Sequence, residues 1–203
     1  QPHLLLEPQR TNVILQSQDI TTNWSQGSSP TLTSNIAVAP DGTMTADGIK
    51  SDASGVYRTV RQLGISVSSN STVANSYFVK KETTEIGYGG FGLVFTGGSI
   101  KVYYGIVDAV NGTVTISDSN LTGTTKVEDY GNYWRICATT TDTGSNTSLG
   151  VYYYGTLSLN GTSLSTGVGS VRTIWGMQTE LNSSYTTSYI PTAGTTITRA
   201  AET

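Results

Sequence analysis

Ile100-Lys101-Val102-Tyr103-Tyr104-Gly105-Ile106-Val107-Asp108, then Ala109-Val110-Asn111-Gly112, then Thr113-Val114-Thr115-Ile116-Ser117 reads as two strands joined by a hairpin. Both arms are rich in β-branched and aromatic residues, which fit a pleated, half-buried surface. The Asn-Gly pair between them supplies the positive φ angles of a tight turn. The same grammar repeats outward in both directions.

Toward the N-terminus, strands are expected at Leu4–Glu7, Thr11–Leu15, Thr31–Val38, Val56–Leu63, Thr72–Lys80 and Gly90–Phe95. Toward the C-terminus they are expected at Tyr133–Thr140, Leu149–Leu157, Val171–Gln178 and Thr195–Arg199. Gly, Asn, Asp and Ser turns, such as Asp41-Gly42 and Asn160-Gly161, separate them. Ser17–Asn23 is the one segment read as a helical turn. Many short strands at this spacing predict an all-β, two-sheet antiparallel sandwich of the jelly-roll (concanavalin-like) type. No composition shift or internal repeat divides the 203 residues, so residues 1–203 are expected to form a single β-sandwich domain.

Composition narrows the function. Only 12% of residues are charged, against 23 glycines and 12 tyrosines, and the net charge is −3. No cationic field is available to meet phosphates, so neither nucleic acid nor an anionic membrane surface is an expected partner. No run approaches the roughly 20 apolar residues of a bilayer span, so no membrane insertion is expected. The opening Gln1-Pro2-His3-Leu4-Leu5-Leu6 is too short for a signal-peptide core.

Catalytic and metal chemistry lack their parts. One histidine, His3, and one cysteine, Cys137, leave no base beside a nucleophile and no zinc ligand set. The close carboxylate pairs, Glu82/Glu85 and Glu128/Asp129, are read as solvated loop charges. The chain is therefore expected not to be an enzyme, with no cofactor and no metal site beyond a possible structural calcium near Asp41, Asp47 and Asp52.

Aromatic side chains carry the binding expectation, because sugar rings present apolar faces that stack on Tyr and Trp. Alternation places Tyr152 and Tyr154 on one face of their strand as an exposed shelf. It places Lys101 and Tyr103 together on one face of theirs, a cation beside an aromatic ring. Trp134, with Ile136 and Ala138, and Trp175, with Val171, Thr173 and Met177, read as buried. Asn-x-Ser/Thr triplets at Asn23, Asn70, Asn111, Asn120, Asn146, Asn160 and Asn182 are what a chain about 29% Ser and Thr produces by chance.

A family resemblance rests on ordered motifs. These are Leu4-Leu5-Leu6-Glu7-Pro8-Gln9-Arg10-Thr11-Asn12, Ala39-Pro40-Asp41-Gly42-Thr43 with Thr45-Ala46-Asp47, and Tyr133-Trp134-Arg135. The closing part adds Ile174-Trp175-Gly176-Met177-Gln178 with Glu180, Thr187-Ser188-Tyr189-Ile190-Pro191-Thr192, and Thr198-Arg199-Ala200-Ala201-Glu202. Together they resemble the carbohydrate-binding jelly-roll domain of bacteriophage tail-fibre and minor structural proteins. The segment from Glu82 to Asp129 resembles that family only in strand pattern.

The resemblance implies a receptor-binding module at the distal tail fibre of a virion, recognising a bacterial surface glycan such as lipopolysaccharide or capsule. It also implies homotrimeric assembly, contact with other tail proteins, and excision from a longer chain. It implies no catalytic residues and transfers no sugar-contacting set. A structural trimerising or capping role is the alternative, and a polysaccharide depolymerase a more distant one.

Overall fold

The computed structural model describes residues 6–51, 57–83, 88–160, 163–166 and 171–202. Fifteen strands follow in order: β1 (Arg10–Asn12), β2 (Ser25–Gly27), β3 (Thr31–Ala37), β4 (Ala46–Lys50) and β5 (Thr59–Ser66). Next come β6 (Thr72–Lys80), β7 (Tyr88–Thr96), β8 (Lys101–Asp108), β9 (Thr113–Ser117) and β10 (Gly123–Tyr130). The last are β11 (Tyr133–Thr141), β12 (Ser148–Asn160), β13 (Ser163–Thr166), β14 (Arg172–Leu181) and β15 (Ile197–Arg199). The described residues contain no helix, and Ser17–Asn23 is a run of bends rather than a helical turn.

Two antiparallel sheets form the expected jelly-roll-like sandwich. One runs β10-β11-β6-β14-β4-β3; the other runs β2-β5-β12-β7-β8-β9, with β13 paired to the end of β12. A two-stranded ribbon, β1-β15, joins the chain's two ends. Between the sheets, Tyr77, Val79, Ile136, Ile174 and Met177 of one pack against Phe91, Leu93, Tyr103, Val151 and Tyr153 of the other. Tyr77 and Tyr153 meet at 4.7 Å between ring centroids, and the buried Tyr153 hydroxyl is satisfied by donating to Asn75 Oδ1 at 2.8 Å.

The quoted hairpin forms, with Asp108 opposite Thr113, but its loop has four residues and only Gly112 there takes positive φ. The Asp108 carboxylate closes it by accepting from the Val110 and Asn111 amides. Gly112 sits under the Trp134 indole, where a Cβ would come within 2.7 Å of the ring. Gly112→Val is expected to cost about 2 kcal/mol or more, from left-handed strain plus overpacking. Urea unfolding measures this, and a Gly112→Ala variant costing as much as Gly112→Val would show that strain alone, without the Trp134 ring, sets the penalty.

Trp175 is buried, though not with Met177. A bulge at Gly176 shifts the register, sending Met177 into the sandwich with Ile174 and leaving Trp175 on the outer side. There it packs with Phe78 and Tyr133, and Tyr189 of the C-terminal segment covers it at 4.6 Å.

That C-terminal segment is held by residues from the signature motifs. Asn12 donates to the carbonyls of Met177 and Ile190 and accepts from the amides of Ile14 and Thr179. Gln178 accepts from the Ile190 amide, and Glu180 accepts from the Thr187 amide and hydroxyl. Glu7 accepts from the Ser188 amide at 2.8 Å and hydroxyl at 2.5 Å, and pairs with Arg199 at 2.7 Å. The motifs therefore tie both chain ends onto one sheet.

Burial alone would raise the Glu7 carboxyl, but the two Ser188 hydrogen bonds and the Arg199 charge outweigh it and hold it below its ordinary 4.5. A depressed carboxylate stabilises the fold above its unfolded-state pKa and loses that contribution as pH falls through the folded value. Stability should decline below about pH 4.5, and Glu7→Gln should flatten part of that decline in acid titrations followed by circular dichroism.

Candidate functional site

The four tyrosine and lysine positions singled out in the sequence divide between two faces of one sheet. Tyr152 opposes Gly92, which opposes Tyr104, and Tyr154 opposes Gly90. These side chains share the outer face. Tyr103 lies on the inner face and is 1% exposed, packed against Phe91 in the core. It is thus corrected from a surface residue to a core residue. Lys101 follows the same parity and is half-buried at the end of β8, away from Tyr152 and Tyr154. Alternation groups each pair on one face, and on β8 the outward face is the Tyr104 side.

Tyr152 and Tyr154 do not form an open shelf either. Tyr154 is only 8% exposed, walled edge-on by Tyr57 at 6.1 Å and Tyr104 at 6.4 Å. Desolvation drives the Tyr154 and Tyr104 hydroxyls to higher pKa, so both stay neutral donors at physiological pH. Tyr152 is half-buried, with the Arg61 guanidinium 5.9 Å from its ring centroid. Tyr57, at 44% exposure, is the most open ring of the group.

Gly92 makes this face possible. A Cβ there would lie 2.6 Å from the Tyr104 ring, so the bare backbone lets that ring recline across β7 toward Tyr152. Gly92→Val should therefore displace Tyr104 and reshape the face while leaving the inner core untouched. A shallow depression of about 300 Å³ opens beside Tyr152, lined by Leu63, Val94, Thr96 and Ser148.

No family model matches the chain, and no curated protein matches it. Solved structures with a similar fold include the enzymatically active domain of tailspike protein 4 from bacteriophage CBA120, with 13% identity and a TM-score of 0.46. The match covers 84% of this chain and 21% of that one, so the chain spans about a fifth of that chain's length. The candidate sites stand on their own geometry.

The carboxylates have structural partners. Glu128 and Asp129 belong to β10 rather than to a loop, and as neighbours on a strand they diverge: Glu128 toward Lys126 and Arg135, Asp129 toward Lys81 at 2.6 Å. Glu82 pairs with Arg172 at 3.7 Å, while Glu85 lies outside the described residues. Asp47 is buried and accepts from the amides of Ile20 and Asn35, which occupies both its oxygens. Asp41 accepts from the Thr43 amide and hydroxyl, and Asp52 lies outside the described residues. Among the described residues no group of three or more His, Cys, Asp or Glu side chains is placed to hold a metal ion. Asn146, one of the Asn-x-Ser/Thr positions, is fully buried and bonded to Asp142 and Ser99, out of reach of a glycosyl transfer.

The sequence reading missed Tyr57 and Tyr104. It also missed β10, whose Tyr130-Gly131-Asn132-Tyr133 turn makes a two-residue hairpin with β11. Gly131-Asn132 was the available turn signal.

Proposed function

We propose that this chain is a non-catalytic glycan-binding module of a bacteriophage tail, recognising a bacterial surface polysaccharide such as lipopolysaccharide or capsule. The observation that carries the reading is the outer face of the β2-β5-β12-β7-β8-β9 sheet, where Tyr57, Tyr104 and Tyr152 surround Tyr154 with Arg61 alongside. Tyrosines fixed edge-on to one another are pre-organised, so a sugar ring stacks without first ordering them. The sequence motifs supply the phage-tail context. Glu7, Asn12, Gln178, Glu180 and Ser188 of these motifs are used in tying the chain's first and last strands to the sheet.

Homotrimeric assembly and contact with other tail proteins belong to the same proposal. Ile36, Val38 and Met44 expose apolar surface at one end of the sandwich and suit a subunit contact. This also keeps the trimerising role as a second reading. Fluorescently labelled protein should decorate host cells, and cells stripped of surface polysaccharide should stay dark. Equal labelling of stripped cells would overturn glycan recognition, while a trimer in sedimentation that labels neither would favour the architectural role.

A further inference from the structure

The opposite sheet carries a second feature. The outward side chains of β10 and β11 form one wall of a groove, and the returning segment at residues 183–188 forms the other. Two depressions of about 420 and 470 Å³ share Lys126, Glu128, Tyr185 and Thr186 as lining and so form one continuous channel. Each lies within the size range of small-molecule sites.

Two half-exposed tyrosines flank it, and both are braced. Tyr130 is 48% exposed and packs edge-on against Phe78 at 5.2 Å; Tyr185 is 49% exposed, with the Arg10 guanidinium 5.5 Å from its ring. Hydroxyls of Thr124 and Thr139, hydrogen-bonded to each other at 2.5 Å, line the polar wall. Exposed rings at the rim with short polar groups between them suit a sugar.

The charges select which sugar. Arg135 lines the channel and is only 5% exposed, and its Nε finds no acceptor among the described residues. Lys126 uses one ammonium donor on Glu128 at 2.7 Å and keeps two more for a ligand. Around the channel Arg10, Lys126, Arg135 and Arg199 are balanced by Glu7, Glu128, Glu180 and Glu202, so the anion preference comes from the donors of Lys126 and Arg135 that these carboxylates leave unused. A buried guanidinium donor without an acceptor favours a planar anion.

The two carboxylates do not offer hydrolysis. Glu7 is occupied by Ser188 and Arg199, and each Glu128 oxygen by a cation, whereas glycoside cleavage needs one carboxyl free to give a proton and one free to attack or activate water.

We infer that this channel is a second saccharide site, selective for sugars carrying a carboxylate. It uses a different sheet from the tyrosine face, so either site can fail without the other. Amide NMR titration with sodium glucuronate, glucose and sodium acetate tests it. Glucuronate should shift resonances of Lys126, Thr139 and Thr186, bind at least about tenfold more tightly than glucose or acetate, and weaken about tenfold in Lys126→Ala or Tyr185→Ala. Both substitutions are at exposed side chains, and the dispersion of the same spectra reports that the variants fold. Shifts confined to Tyr57 and Tyr152, no shifts at all, or acetate binding as tightly as glucuronate would each overturn the proposal.

Discussion

Glu180→Ala should destabilise the fold by about 3–5 kcal/mol, the range for removing one partner of a buried charged cluster. Glu180 is fully buried on β14, accepts from the Thr187 amide at 3.0 Å and hydroxyl at 2.8 Å, and faces Arg10 Nε at 3.6 Å. The Gln178 amide also donates to it. Removing the carboxylate strands the buried Thr187 amide, at a cost of about 1–3 kcal/mol, and deprives Arg10 of its buried counter-charge, while Gln178 keeps the Thr187 and Ser188 carbonyls. The C-terminal segment, with Tyr189 over Trp175, should loosen first. Glu180→Gln keeps one acceptor and should cost less. Guanidinium unfolding followed by tryptophan emission reads both, and an alanine variant within about 1 kcal/mol of the parent would show that the segment is held by its apolar contacts instead.

The second large effect is on binding. Replacing Tyr57 and Tyr152 together by alanine should weaken polysaccharide binding at least about tenfold, corresponding to roughly 1.4 kcal/mol. Tyr154 is unsuited to the experiment, because its ring is packed between Tyr57 and Tyr104 and its loss would disturb the sheet. Titration calorimetry with purified host polysaccharide gives the comparison. Unchanged affinity with an intact fold would remove the tyrosine face from the account.

Strand identity was legible because the composition allowed little else. Thr72–Lys80 and Thr113–Ser117 were bounded correctly from turn residues and alternation alone. β10 was missed because Gly123-Thr124-Thr125-Lys126-Val127-Glu128-Asp129-Tyr130 has no apolar alternation; it is an edge strand with a mostly exposed pattern, and such strands leave only a weak hydrophobic signature. The faces were harder than the strands. On β8 both parities carry a tyrosine, Tyr103 on one and Tyr104 on the other, so period-2 reasoning had no basis for choosing the inner one. The choice is made by Gly90 and Gly92 across the sheet, whose missing side chains leave room for rings on the outer face.

Trp175 shows a further limit. Its burial followed from its size, but the bulge at Gly176 decided which side buries it. The signature motifs were visible in the sequence, whereas their role became visible only when Glu7, Asn12, Gln178, Glu180 and Ser188 met across nearly the full length of the chain. Contacts at that sequence separation leave no local pattern to read.

The central claim is that the chain binds a bacterial surface polysaccharide and leaves it uncut. Size-exclusion chromatography of that polymer after incubation with the protein, following sugar and protein together, tests it most directly. Co-elution of protein with polymer of unchanged length is the expected result. Polymer shortened by the protein, or protein and intact polymer eluting apart, would contradict it.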